Sequence, residues 1–311
     1  LDFSNSKILI VGDVMLDKYY FGKVDRISPE APVPIVNIQK EESRLGGASN
    51  VANNIVSLGG HSLLCGVIGH DLFGKEIERI SRHKIIDTFL LKTSSPTITK
   101  ARIIGGKQQI VRVDYEDKSE LNADNKKLFR DTISRILPEY DILVISDYGK
   151  GLISEDLCRY LIKLAHKYDK KVIIDPKGKN WEKYSGADIV TPNVKELSDI
   201  VGYTVPNTDR AIEKAAREAI TNNHLTALLV TRSDKGMSLI GPIPPIHIPT
   251  HSEEVFDVSG AGDTVVATLG LCLAAGFEIS EAMRTANIAA GIVVKKVGTA
   301  TLTIEELVQQ K

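Results

Sequence analysis

The sequence has few of the features that mark membrane, secreted or nucleic-acid-binding proteins. Its longest apolar runs, such as 8–11 and 142–145, are far shorter than the roughly 20 residues that a membrane-spanning helix needs. No signal peptide opens the chain. The 39 basic and 40 acidic side chains leave a formal charge of −1, so the chain lacks the positive excess that binds polyanions. We therefore expect neither a membrane nor a nucleic acid as a partner.

Cysteine is also scarce. Cys65, Cys158 and Cys272 are odd in number and lie far apart in apolar surroundings, which is typical of core residues rather than metal ligands. The 7 histidines show no metal-binding spacing, so zinc chemistry is not expected. This cysteine usage favours the reducing cytoplasm. The chain begins at Leu1 instead of Met, which suggests a trimmed or processed piece of something longer.

Short β-branched runs alternate with amphipathic stretches through most of the chain, which predicts an α/β fold around a largely parallel sheet. The clearest predicted strands are 7–12, 63–68, 141–146, 171–174, 188–191 and 227–231. In such sheets, ligands bind beyond the carboxyl ends of the strands. The functional candidates at those ends are Asp13, Asp147, Asp175, Asn193 and Arg232.

Two segments, near 14–41 and 97–115, break this rhythm. They alternate apolar and polar residues without a helical crossover, which predicts antiparallel strands in a small second sheet. Such a sheet has the shape of a lid or a dimer contact. Because exposed sheet edges invite pairing, we expect a homodimer that forms through this lid.

The strongest motif is the run 257–264, Asp-Val-Ser-Gly-Ala-Gly-Asp-Thr, which precedes an apolar helical pattern. Glycines before a helix allow a tight turn, so the first free N–H groups of the helix can converge on one anion. Asp263 has two interpretations in this setting. It could cap the helix N-terminus, or it could be a general base beside a transferring phosphoryl group.

A second glycine-rich run, 45–54, leads into another helix. Gly46 and Gly47 allow a ligand to approach the backbone, and Asn50 can both donate to and accept from sugar hydroxyls. A plain turn would also explain the Gly-Gly pair. Asp13 adds a carboxylate that could bind two neighbouring hydroxyls, or could simply stabilise a turn.

Asn193 and Glu196 are three residues apart and share a helix face. They match a helix capping box, but they could also hold Mg²⁺ through its waters. The run from Thr231 to Gly236 is typical either of a strand-to-turn phosphate contact or of a hairpin turn. Lys150 lies between two glycines beyond a strand, so it is a candidate phosphate ligand, although most lysines are solvated surface residues.

No GxxxxGK[ST] phosphate loop occurs and the first strand lacks a GxGxxG motif, so a phosphate-handling enzyme would need another cradle. Together, the motifs at 12–13, 46–50, 193–196 and 257–263 resemble those of the ribokinase (PfkB-type) carbohydrate kinases across almost the whole chain. Within that family, the run 25–34 resembles the lid segment of the D-glycero-β-D-manno-heptose 7-phosphate kinases.

The resemblance implies a ribokinase-like three-layer sandwich with a central, mostly parallel sheet and a small β lid, as a single kinase domain over 1–311. It also implies an ATP-dependent kinase that phosphorylates the anomeric O1 of heptose 7-phosphate, on the route to ADP-heptose for the lipopolysaccharide core. Asp263 would be the base, and the amides of Gly260, Ala261 and Gly262 would stabilise the phosphoryl group. The sugar ligands it implies are Asp13, Gly46, Gly47 and Asn50.

The resemblance likewise implies a nucleotide site. Asn193 and Glu196 would position Mg²⁺ and the phosphates of ATP, with Thr231 nearby. Adenine would lie between the segment after Gly236 and the helix that carries Asn287 and Gly291. Many relatives use a monovalent cation such as K⁺ beside the anion hole, and Asp257 is at the matching place. The candidate cations for the 7-phosphate are Lys150 and Arg112.

In several bacteria, kinases of this type are fused to a C-terminal nucleotidyltransferase with an HxGH motif. No such motif occurs in this chain, so we expect no nucleotidyltransferase domain in it; either a separate kinase or the kinase half of a fusion fits. Two other functions stay open. One is another kinase of the family, acting on fructose, ribose or a nucleoside, and the other is a nucleotide-binding regulator that has lost catalysis.

Overall fold

The computed structural model describes residues 1–118, 120–251 and 255–310. The strands are β1 (Lys7–Gly12), β2 (Val14–Ile27), β3 (Pro34–Gly47), β4 (His61–Gly69), β5 (Asp87–Thr93), β6 (Thr99–Gly105), β7 (Gln108–Tyr115), β8 (Ile142–Ser146), β9 (Lys171–Asp175), β10 (Ile189–Val190), β11 (Leu228–Thr231), β12 (Met237–Ile240) and β13 (Ile246–Ile248). The α-helices are α1 (Ala48–Ser57), α2 (Leu72–His83), α3 (Ala123–Ile136), α4 (Glu155–Lys167), α5 (Val194–Val201), α6 (Asp209–Asn223), α7 (Ala261–Ala274), α8 (Ile279–Val293) and α9 (Ile304–Gln309).

Nine of the described strands form the main sheet, in the order β13-β12-β11-β10-β9-β8-β1-β4-β5. The strands from β11 to β5 are parallel, and β12 and β13 are antiparallel at one edge. Parallel neighbours require crossover connections, which the helices between them supply. The predicted α/β class with a mostly parallel sheet is confirmed.

Helices cover both faces of this sheet. In β1, Ile8 and Ile10 belong to a core with α1, α2, α7, α8 and α9, whereas Leu9 and Val11 belong to a second core with α3, α4, α5 and α6. Successive side chains of a strand point to opposite faces, so a strand buried on both sides is apolar throughout. The molecule therefore has the predicted three-layer arrangement.

The second sheet contains the other four described strands, in the order β3-β2-β6-β7, and is called the lid below. Its two hairpins, β2 with β3 and β6 with β7, are antiparallel as expected. The pairing of β2 with β6 is parallel, so the prediction of purely antiparallel strands is wrong for this pair. Because α1, β4, α2 and β5 intervene between the two hairpins, the chain can re-enter the lid in the parallel sense.

The lid is joined directly to the main layers. Asp13 alone separates β1 from β2, and α1 begins at Ala48, directly after β3 ends at Gly47. The lid hairpin therefore begins and ends at two of the predicted site motifs.

Helix α7 lies inside the molecule, between the main sheet and the helices α1 and α8. Its residues from Asp263 to Cys272 are all buried, as expected for a helix that is apolar on every side. This packing fixes the N-terminal turn of α7 against the ends of the central strands.

Each of the six predicted strands overlaps a strand of the main sheet, and 7–12 coincides with β1. The edge strand β5 was not predicted, because its partly exposed, mixed sequence lacks a β-branched apolar run. All three cysteines are buried, as expected for core residues. None of the helices in the described ranges combines the length and apolarity needed to cross a bilayer.

Candidate active site

The carboxyl ends of the central strands lie at the same edge of the main sheet as the N-terminus of α7 and the start of the lid. Asp13 follows β1, Asp147 follows β8, and Asp175 ends β9. The carboxyl ends of parallel strands meet at the same edge of a sheet, which explains why residues so distant in sequence converge.

Asp263 lies in the first turn of α7 and its side chain is only 3% exposed. Its Oδ2 accepts a hydrogen bond of 2.7 Å from Asn50 Nδ2, and its Oδ1 accepts one of 2.8 Å from the Tyr148 hydroxyl. Burial raises the pKa of Asp263 to about 6, against the two donors, which lower it. The side chain makes no capping bond to the helix, so the capping interpretation does not describe what this carboxylate does.

The turn before α7 requires glycine. Gly260 is the N-cap residue with φ of 80°, in the left-handed region, and a Cβ there would lie 2.8 Å from Asn50 Nδ2. The Ala261 amide donates to Val258 O at 3.2 Å, so it is already engaged. The Gly262 backbone lines a cavity in front of the helix, where the first-turn amides and the helix dipole favour an anion.

A buried amide network holds Asn50 in place. Asn54 Nδ2 donates to Asn50 O at 2.9 Å, and Asn54 Oδ1 accepts from the Thr264 hydroxyl at 3.0 Å. Asn50, Asn54 and Thr264 are each fully buried. Because α1 and α7 are cross-linked in this way, the distance between Asn50 and Asp263 is fixed by both helices.

Asp13 lines a cavity of about 470 Å³, whose wall includes neither Asp263 nor Asn50. Its Oδ2 accepts hydrogen bonds from the backbone N–H groups of Tyr148 at 2.8 Å and Lys150 at 3.1 Å. Burial and the nearby Asp147 raise the pKa of Asp13 to about 6. The carboxylate thus stabilises the loop after β8, as a turn aspartate would, and also faces the cavity.

Lys150 lines the same cavity, and its ammonium group forms an ion pair with Glu116. Arg112 does not line it. The Arg112 side chain is 50% exposed on β7 and makes two hydrogen bonds to Asp114, of 2.8 and 2.9 Å. Of the two predicted cations for a substrate phosphate, the structure brings only Lys150 to the cavity wall.

Gly46 provides a close approach between the lid strands β2 and β3. A Cβ on Gly46 would lie 2.5 Å from Asp17 Oδ2, so the glycine leaves room for this carboxylate. Asp17 is 4% exposed and accepts a hydrogen bond of 2.6 Å from Arg102. Gly47, the next residue, precedes α1 with its backbone beside Asp13 O.

A smaller cavity of about 160 Å³ lies in front of α7. Asn193 and Glu196 line it and form a complete capping box: Asn193 Oδ1 accepts from Glu196 N at 2.8 Å, and Glu196 Oε2 accepts from Asn193 N at 3.1 Å. Thr231 lies alongside, in a parallel bridge with Asn193. The capping interpretation of this pair is therefore correct, and the same two side chains still face the cavity.

The donor set of this cavity fits Mg²⁺. Asp175 lies on its wall with Glu196, whose Oε1 is 2.9 Å from Lys177 Nζ. Desolvation, with repulsion from Asp263 and Glu196, raises the pKa of Asp175 well above its ordinary value. Within the described ranges no three acidic, histidine or cysteine side chains are close enough to enclose a metal. Mg²⁺ in proteins usually binds one or two carboxylates and keeps most of its waters, so two carboxylates suffice.

Two of the three predicted adenine residues contact the same segment, at 248–249. Asn287, on α8, donates a hydrogen bond of 2.7 Å from its Nδ2 to Pro249 O, and Gly236 packs against the backbone at Ile248 and Pro249. Gly291 is buried one turn further along α8. None of the three lines the smaller cavity.

Asp257 ties two loops together beside the α7 turn. Its Oδ1 accepts from Ser259 N at 2.9 Å and its Oδ2 from Gly298 N at 2.8 Å, and these bonds lower its pKa. The carboxylate is therefore ionised next to the predicted anion hole.

Comparisons with known proteins agree with this geometry. Residues 5–306 match the model of the pfkB family carbohydrate kinases. The chain belongs to this family. The pfkB kinase chain is 46% identical over 308 residues to the bifunctional protein HldE of Haemophilus influenzae strain PittEE, and 45% identical over 310 residues to that of Vibrio vulnificus strain YJ016. It spans 63% and 64% of the length of these two relatives, while they match 98% and 99% of its own length.

Solved structures show the same fold. Phosphofructokinase-2 from Escherichia coli in complex with potassium superposes with a TM-score of 0.81 at 20% identity, covering 98% of this chain and 97% of that one. Ribokinase from Arabidopsis thaliana, complexed with ribose and ATP, superposes with a TM-score of 0.76 at 19% identity, covering 98% of each chain. The pfkB kinase chain therefore has the ribokinase-like fold that its motifs predict.

Sequence reasoning missed two residues at the centre of this kinase site. Tyr148, whose hydroxyl contacts Asp263, lies 115 positions away from it in the chain. Asp17, on β2, lies in a strand whose alternation gives no sign that its carboxylate is buried. The one sequence feature that pointed to Tyr148 as a site residue was its position just after a predicted strand. Asp175 has the same feature.

Proposed function

We propose that this chain is an ATP-dependent kinase that phosphorylates the anomeric O1 of D-glycero-D-manno-heptose 7-phosphate. The observation that carries the proposal is Asp263: a buried carboxylate, aligned by Asn50 and Tyr148, at the N-terminal turn of a helix. A base and an anion site within one turn are what phosphoryl transfer to a hydroxyl requires.

In this proposal, Asp263 takes the proton of the acceptor hydroxyl. The acceptor oxygen then forms a bond to the γ-phosphorus, the bond from that phosphorus to the β,γ-bridging oxygen breaks, and ADP leaves. A carboxylate has about four acceptor sites, so Asp263 can accept from the substrate while it keeps its bonds to Asn50 and Tyr148. The amides of Gly260 and Gly262 and the dipole of α7 would stabilise the charge on the transferring group, whereas the Ala261 amide is engaged with Val258 O.

Asp175, Glu196 and Asn193 would hold Mg²⁺ and the phosphates of ATP in the smaller cavity, with Thr231 beside them. Bound there, Mg²⁺ would neutralise phosphate charge during transfer. The adenine would lie along the segment contacted by Gly236 and Asn287, near Gly291. A K⁺ ion would lie near Asp257, and replacing K⁺ by Na⁺ in the assay tests for it.

The acceptor would occupy the larger cavity. Asp13 would hold its hydroxyls there. Gly46, Gly47 and Asn50 do not line this cavity, so the acceptor would reach from it towards them to bring its O1 beside Asp263. The cavity volume of about 470 Å³ suits a small sugar phosphate. The narrower choice of a heptose rests on the lid segment 25–34 and on the similarity to the HldE proteins.

The partners are part of the same proposal. We assign only the kinase step to this chain, because it spans 63% of the first HldE relative. A nucleotidyltransferase, on the same polypeptide or separate, would act later on the sugar phosphate. The kinase would work in the cytoplasm, where ATP is available, as a homodimer joined through its lids.

The test is ADP release from Mg·ATP with D-glycero-D-manno-heptose 7-phosphate, beside fructose, ribose, fructose 6-phosphate and adenosine. Turnover with the heptose phosphate alone supports the proposal. Turnover with only one of the other acceptors identifies a different kinase of the family. No turnover with any of them, despite ATP binding, supports a regulator that has lost catalysis.

A further inference from the structure

Lys100 is on β6, in the middle of the lid, and its side chain is half-buried. Its ammonium nitrogen lies 5.4 Å from the centroid of the Tyr148 ring. The hydroxyl of that ring donates to Asp263, so Lys100 is one side chain away from the proposed base. No motif in the sequence assigns this lysine a role.

Both acidic neighbours of Lys100 in the lid pair with other cations. Lys100 is opposite Asp17 on β2 and opposite Asp114 on β7. Asp17 forms its ion pair with Arg102 at 2.6 Å, and Asp114 forms its pair with Arg112 at 2.8 Å. In the part of the chain that the structure describes, no carboxylate oxygen lies within 4.0 Å of Lys100 Nζ.

The absence of a carboxylate partner makes the charged form of Lys100 unfavourable. Partial burial lowers the pKa of Lys100; the charge of Asp17 opposes this effect, and the positive charges of Lys150, Arg102 and Arg112 add to it. Each of those three cations has a carboxylate partner, whereas Lys100 has only the face of an aromatic ring. A desolvated cation without a counterion costs free energy, which an incoming anion would recover.

We propose that Lys100 binds a phosphate group beside Tyr148 and Asp263 when substrates are present. This inference rests on the proposed kinase function. The phosphate could come from the far end of a phosphorylated acceptor, or it could be the group in transfer from ATP. A lysine ammonium is a compact charge with three donors, so it can serve either phosphate.

Three variants test this proposal. Lys100→Met removes the charge at similar length, Lys100→Arg keeps the charge, and Lys107→Met removes an exposed lysine from the turn between β6 and β7 as a control. Initial rates are measured with heptose 7-phosphate and with the unphosphorylated heptose, each at saturating Mg·ATP.

If Lys100 binds the acceptor phosphate, Lys100→Met raises KM for heptose 7-phosphate roughly 10- to 100-fold, the usual range for a lost charged hydrogen bond, and leaves the unphosphorylated sugar unaffected. If it binds the group in transfer, kcat falls by a similar factor with both acceptors. Lys100→Arg recovers most of either loss. Unchanged kcat and KM with both acceptors would overturn the proposal.

A binding measurement separates this proposal from the choice of heptose. Calorimetric titration of each protein with inorganic phosphate needs no acceptor sugar. Weaker binding to Lys100→Met than to the wild type and Lys107→Met supports the phosphate site even if another sugar proves to be the substrate. Equal binding to all three proteins contradicts it.

Discussion

Asn50 Nδ2 donates a hydrogen bond of 2.7 Å to Asp263 Oδ2 across 213 positions of the chain. This bond joins the two glycine-rich motifs, because Asn50 is in α1 and Asp263 is in α7. A residue that was predicted to hold a sugar thus also orients the proposed base.

Asp263→Asn removes the base without changing the size of the side chain. We expect turnover to fall by roughly 10² to 10⁴, which is the usual contribution of general-base catalysis, with ATP binding retained. Steady-state rates and a nucleotide-binding titration measure the two effects. Asp124→Asn, at an exposed position of α3, is the matched control. Turnover close to that of the wild type would remove the base assignment.

The same substitution should stabilise the fold. The pKa of Asp263 is raised from 3.8 to about 6 in the folded protein, so ionisation of this carboxylate opposes folding above that pH. We expect Asp263→Asn to increase the free energy of unfolding by about 2–3 kcal/mol well above pH 6. The gain should shrink as the pH falls from 6 through 3.8 and vanish below it, where Asp263 is protonated in both states. Urea unfolding over a pH series measures it, and a gain independent of pH would contradict this account.

Tyr148→Phe tests the second donor to Asp263. The hydroxyl bond lowers the pKa of Asp263, so its loss should raise that pKa further. Activity requires the ionised carboxylate and disappears as the pH falls through its pKa. The acidic limb of kcat/KM against pH should therefore move to higher pH, with a smaller change on the plateau. Tyr203→Phe, at an exposed tyrosine, should leave the profile where it is.

Glu196→Gln separates two functions of one side chain. Glutamine also completes a capping box, so we expect the stability of α5 to be retained. The lost charge should weaken Mg²⁺ binding, which a titration of rate against Mg²⁺ at fixed ATP measures as a several-fold higher half-saturating concentration. Glu139→Gln, exposed and remote, is the control. A large drop in melting temperature with an unchanged Mg²⁺ requirement would leave only the capping role.

The lid carries an apolar strip. Val111, Val113 and Tyr115 alternate along β7 and are 45%, 39% and 45% exposed. We expect a dimer to bury them, so that sedimentation at micromolar concentration shows a species heavier than 34.0 kDa. Val111→Lys should restore the monomer and Val308→Lys, on α9, should not. A wild-type protein that sediments as a monomer would exclude the lid dimer.

The sequence predicts the sheet well, because strands such as β1 and β8 are buried on both faces and must be apolar throughout. It also predicts that the candidate residues after the strands lie together, since parallel strands deliver their following residues to one edge of the sheet. It does not predict which side chains touch. A cap and a base use the same residue type at the same helix position, and only the tertiary contacts from Asn50 and Tyr148 distinguish them for Asp263.

The Asn193 and Glu196 pair shows a second limit. Local pattern offered capping and metal binding as competing interpretations, yet the structure has the capping box and also places both side chains on the cavity wall. The two are compatible because each carboxylate or amide has more acceptor sites than the cap uses.

Asp13 has no linker on either side, since β1 ends at Gly12 and β2 begins at Val14. A rotation of the lid against the main sheet would therefore change the backbone torsions at this residue, as well as at the direct join between β3 and α1. The Asp13 side chain also faces the larger cavity. Asp13, which we propose to bind the acceptor, thus lies at one of the joins between the lid and the main sheet. A sugar that binds its carboxylate would therefore act on a join between the two sheets. Occupancy of the acceptor site would then be coupled to the angle between the lid and the main sheet.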